Sequence, residues 1–171
     1  MSRILCILIL SLHAVGAVEQ RDIELVESHR LFRWACDAIQ HMDAELMSQM
    51  NADGSVPAYP EDKLKMVEEA LLRAIALNPG QPGFHLTLGN LFWGSDQHSK
   101  TIHHLRIAHT LNPHDDSIAS AFAAALAQGG EFDEAHKVVE WLRATKSEYY
   151  EARRDEIHDL MTQQDEPQGM P

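Results

Sequence analysis

Histidine is the residue type with the most chemistry to offer in this chain. There are eleven, and His98, His103, His104, His109 and His114 fall close together. Imidazole nitrogens ligate zinc, copper and haem iron, and they exchange protons near neutral pH. A helix that holds a metal ion presents ligands three or four residues apart, on one face. His103 and His104 point in different directions on a helix over residues 101–111, and neither has another histidine at that distance along the chain. The helical zinc signature of two histidines four apart with Glu between them is absent. The spacing therefore predicts surface imidazoles, and no residue is assigned as a metal ligand.

Other reactive patterns are equally missing. The sequence has no nucleophile elbow, no phosphate-cradling glycine loop and no dinucleotide fingerprint, so no catalytic residue and no cofactor are expected. Lys and Arg number 14 against 26 Asp and Glu, a formal charge of −12 with His neutral. Such a chain lacks the basic footprint that phosphate contacts require, and nucleic acid is excluded as an expected partner. The two cysteines are Cys6 and Cys36. Cys36, beside Ala35 on an apolar helix, reads as a small buried hydrophobe.

The elements that must carry any function emerge from an internal repeat over residues 71–142. Leu71, Leu105 and Val139 are in register at thirty-four residues, as are Ala74, Ala108 and Leu142. Asn78-Pro79 returns as Asn112-Pro113, Leu88-Gly89 as Phe122-Ala123, Phe92 as Leu126, and Thr101 as Ala135. A period of this length marks stacked helix-turn-helix units, each burying its apolar face against its neighbours. Within one unit, Leu88, Gly89 and Phe92 define a first helix ending near Gly94. Ile102, Leu105, Ala108 and Leu111 then define a second, which Asn112-Pro113 stops. In the next unit Gln128-Gly129-Gly130 is the break, and Asp133-Glu134 in the following first turn suits the helix dipole.

These residues resemble the tetratricopeptide repeat family. Leu88-Gly89, Phe92, Leu105, Ala108 and Pro113 follow its pattern in order, and the run from Gly130 to Ala135 is similar to its turn into the second helix. Thr101 stands where a small Ala is usual, and Ser147 replaces the expected Pro. The resemblance implies a short right-handed α-solenoid, all-α, and a role in binding proteins or peptides on a concave surface.

Taken in order, the chain opens with Arg3 and an apolar run over residues 4–12, then Val15-Gly16-Ala17, which predicts an export signal over 1–17 removed after Ala17. The run is too short to span a bilayer, so no stable membrane insertion is expected after cleavage. Residues 18–60 are expected to form an N-terminal helical segment and a loop. Ala35, Ile39, Met42, Leu46 and Met50 follow one face of a long helix, or of two joined by a kink, and Leu31, Trp34-Ala35 and Ala38 faintly echo the repeat. The repeats proper occupy 61–147, beginning with a helix whose buried stripe is Leu64, Val67, Leu71 and Ala74. A capping box at Thr145-Lys146-Ser147-Glu148 predicts a polar capping helix over 148–163, followed by a disordered tail over 164–171.

On the repeats, a second helical stripe lies apart from the buried set. Leu86, Asn90 and Trp93 form it in one unit, and Ser120, Ala124 and Ala127 in the next. In stacked repeats this stripe lines the concave face, where the family resemblance implies that a peptide or helix binds; Trp93 is the expected anchor. Basic residues are missing from both stripes, which argues against a clamp for a carboxylate terminus. The function expected is thus an exported adaptor or assembly factor, periplasmic or secreted, with a protein or peptide partner. A histidine-rich metal- or haem-handling protein and a homo-oligomeric structural protein are the alternatives.

Overall fold

The computed structural model describes the backbone of residues 3–51, 54–55, 57–93 and 97–162, with side chains except those of 3–16, Glu156 and Leu160. The expected disordered tail and most of the expected export signal lie outside the described residues or side chains. Among the described residues seven helices follow one another: α1 (Arg3–Ser48), α2 (Glu61–Leu77), α3 (Pro82–Trp93), α4 (His98–Leu111), α5 (Asp116–Gln128), α6 (Phe132–Thr145) and α7 (Glu148–Thr162). The fold is all-α, and among the described residues no helix is long and apolar enough to cross a membrane.

The chain divides into two compact units, 1–79 and 80–171. The first is a hairpin of α1 and α2. Of the two expectations, one long helix or two, α1 is one, assigned continuously over 46 residues. Two ion pairs bridge the hairpin, Lys63 Nζ lying 2.7 Å from Glu45 and Arg73 3.7 Å from Glu27. Ala35, Met42 and Leu46 are buried against Val67, Ala70, Leu71 and Ala74, whereas Met50, expected on the same stripe, is 56% exposed. The loop before α2 is tied back where Tyr59 donates its hydroxyl proton to Asp43. Burial and that carboxylate push the Tyr59 phenol up to about 12. Trp34, in the faint repeat echo, is 44% exposed and does not join the buried set.

In the second unit, α3 packs on α4, α4 on α5, and α5 on both α6 and α7. Gly89 shows why the α3–α4 crossing needs a bare backbone: a Cβ there would lie 2.9 Å from Leu105 Cγ. Thr101, at the position where Ala is usual, is buried, and its hydroxyl is satisfied by donating to the Gln97 carbonyl at 3.2 Å. The core gathers Leu105, Phe122, Leu126, Val139, Leu142, Tyr150 and Ile157.

The thirty-four-residue period recurs in the hydrogen bonds. Asn78 N–H donates to Ala74 and Asn112 N–H to Ala108, at 2.9 and 3.0 Å, and both caps hold nearly the same φ and ψ, −144°/77° and −141°/78°. Gln97 N–H donates to Phe92 and Glu131 N–H to Leu126, at 3.1 and 2.9 Å. The third cap departs. Lys146 is left-handed, with φ 54°, and Ser147 N–H reaches back to Leu142 at 3.1 Å. Proline forces the residue before it away from helical conformations toward extended ones, which fits Asn78 and Asn112; Ser147 imposes no such limit on Lys146. The expected capping box shifts accordingly. Ser147, not Thr145, caps α7, its Oγ accepting from Tyr150 N–H at 3.3 Å, while Thr145 donates to the Leu142 carbonyl.

Candidate functional site

The stripe expected to line a groove is divided by its surroundings. On α5, Ser120, Ala124 and Ala127 are all within 2% of complete burial. The element against them is α7: Ser120 donates to the Tyr149 carbonyl at 3.3 Å, and Tyr150 and Ile157 share their core. These three residues therefore do not line an open surface. The reason lies in the α6–α7 connection. After α4 the chain takes four residues, 112–115, to reach α5, but after α6 it takes only two, 146–147, through the left-handed Lys146. With that turn α7 packs chiefly on α5 rather than on α6.

On α3 the stripe is partly covered as well. Leu86 and Trp93 pack against the same core, and the Arg153 guanidinium of α7 lies over the Trp93 ring at 5.5 Å. Asn90 is exposed. The basic residue that neither stripe carries thus arrives from α7, a contact that spacing within the repeat has no means of showing. Trp93 is a packing residue first.

Two arrangements were not foreseen from spacing along single helices. The first is an imidazole cluster built across α3 and α4. His85, 5% exposed, brings its Nδ1 to 3.2 Å from His104 Nδ1, and the rings stack at 5.5 Å. His103 meets His104 edge-on at 5.1 Å, and Phe92 stacks on it at 5.6 Å. One nitrogen of the Nδ1 pair must carry the proton and the other accept it, so at least one ring is neutral. Burial, followed by the charges of His103, His85 and Lys100, holds His104 down to about 4. Lys100 itself sits over the Phe92 ring at 4.7 Å. Among the described residues no group of three His, Cys, Asp or Glu side chains is arranged to hold a metal ion. The signal for this pairing was available only as a difference of nineteen residues, which means nothing until the α3–α4 turn is known.

The second lies within the first unit. Trp34, Ala38, Met42, Met66 and Val67 surround an apolar pocket of about 190 Å3 between α1 and α2, with the Glu45–Lys63 ion pair beside it. Met42 and Val67 are buried behind it, whereas Trp34 and Met66 are 44% and 56% exposed. A hairpin of two helices has only one internal seam, so it cannot cover apolar side chains on the flanks of that seam.

No family model matches this chain, and no curated protein matches it.

Proposed function

We propose that this chain is an exported protein-interaction module of tetratricopeptide type, serving as an adaptor or assembly factor, and that its partner contributes a peptide or helix. The observation that carries the reading is the α1–α2 pocket. Aromatic side chains and methionine are enriched where interfaces bury their centres, and tryptophan is among the commonest hot spots. Trp34 and Met66 stand exposed on either side of buried Met42 and Val67, with a charged pair at the edge. That is an apolar centre with a polar rim. Methionine adapts its shape to different apolar guests, which suits an adaptor. Docking at this pocket replaces the α3–α5 stripe, where Ser120, Ala124 and Ala127 are covered.

The test is site-specific photo-crosslinking. A photoreactive residue is placed singly at positions 34, 90 and 151 in the full chain, expressed in its own compartment. A discrete protein adduct is expected from position 34, and Trp34→Ala should weaken the isolated complex by about 2 kcal/mol, the scale of a hot spot. Adducts formed from 90 or 151 but not from 34 would refute the docking site.

A further inference from the structure

Helices α6 and α7 both pack on α5 but touch each other little, and the space between them is a cleft of about 300 Å3. Its apolar wall is Val139, Ile157 and Met161. Arg143 and Glu140, three residues apart on α6, also line it, yet no ion pair forms between them, and among the described residues Arg143 has no carboxylate partner. Both side chains stand exposed at the edge of the cleft. Arg143 is held in place: Nε donates to the hydroxyl of buried Tyr150 at 2.9 Å, and the guanidinium lies over that ring at 5.7 Å. Anchoring one nitrogen leaves the two terminal nitrogens as a pre-organised fork for a carboxylate.

We propose that this cleft binds a free apolar α-amino acid, its carboxylate on Arg143, its ammonium on Glu140 and its side chain against Val139, Ile157 and Met161. Two charges of opposite sign, without an ion pair among the described residues, stand beside one apolar wall and match the three chemical parts of such a ligand. The volume is at the lower end for ligand pockets, roughly 300–1,000 Å3, which selects a small molecule. His136 and His158 flank the cleft as further hydrogen-bonding groups. This site is separate from the α1–α2 pocket and does not depend on it.

Calorimetric titration of the purified chain with three probes tests the assignment: leucine, isocaproate, which lacks the ammonium, and isoamylamine, which lacks the carboxylate. Leucine is expected to bind, and each truncated probe to bind about tenfold more weakly or worse, as the loss of a charge-assisted hydrogen bond requires. Arg143→Gln should abolish leucine binding, but it also removes the contact with Tyr150. Glu140→Lys, at an exposed position, keeps the fold and should invert the preference, so that isocaproate binds better than leucine. Failure of all three probes to bind overturns the proposal, as does equal leucine affinity in folded Glu140→Lys.

Discussion

At the scale of single residues, His104 couples the fold to pH. The unfolded chain takes up this proton near the ordinary 6.5, and the folded chain only at about 4. Between those values the unfolded state binds more protons, so the stabilisation present above pH 6.5 is lost as the pH falls toward 4. Because the ring is only half-buried, solvent screening reduces the effect to about 1 kcal/mol. His109 adds to the same slope, its pKa lowered first by burial. His104→Phe removes one titrating group while keeping an aromatic ring beside Phe92. It loses the hydrogen bond to His85 and is expected to be less stable at every pH, but its urea midpoints should change less between pH 6.5 and 4 than the parent's. An unchanged slope would dismiss the coupling. Ala108 makes a different residue-scale statement. It is fully buried where α4 meets its neighbours, so Ala108→Leu overpacks the array and should cost about 1–3 kcal/mol in thermal unfolding.

At the scale of elements, the α6–α7 turn decides which face remains open. Lys146 pays the small strain of a left-handed residue, offset by the backbone bond from Ser147 to Leu142 and by the Ser147 cap. Ser147→Pro would restore the proline that follows Asn78 and Asn112. It would also drive Lys146 out of its conformation, remove the Ser147 N–H and delete the cap. A loss of roughly 3 kcal/mol is expected, with Ser120 and Ala124 becoming reactive toward solvent probes as α7 detaches. Ser147→Ala, which loses only the cap, should cost about 1 kcal/mol. Similar losses from the two substitutions would mean that the turn geometry does not hold α7 in place.

At the scale of the whole molecule, the long α1 reaches beyond its partner helix. Its 46 residues face only the 17 of α2, and Arg73, near the end of α2, pairs with Glu27. Val18, Ile23 and Val26 are 61%, 62% and 71% exposed, and the first buried residue among the described side chains of α1 is Ser28. Removal of residues 1–17 on export would therefore delete none of the described packing. A chain beginning at Val18 is expected to unfold within about 0.5 kcal/mol of the full-length chain. Mass measurement on protein recovered from a native-like host should show the new terminus at Val18; soluble protein retaining Met1 would refute export.

The sequence by itself determined the helices and their period. Side chains return to one helical face every three or four residues, and a stacked unit must present the same seam each time. Leu71, Leu105 and Val139, or Asn78 and Asn112, could thus be placed before any coordinates. Local signals also marked the departures, since Ser147 breaks the proline pattern in plain view. What that break did to α7 was decided only in three dimensions. A two-residue turn rotates the following helix by an amount that no periodicity encodes, and it carried α7 over Ser120, Ala124 and Ala127. The His85–His104 pair and the α1–α2 pocket were hidden for the same reason. Spacing along one helix orders side chains around that helix, but contact between helices depends on crossing and register, which the packed core sets.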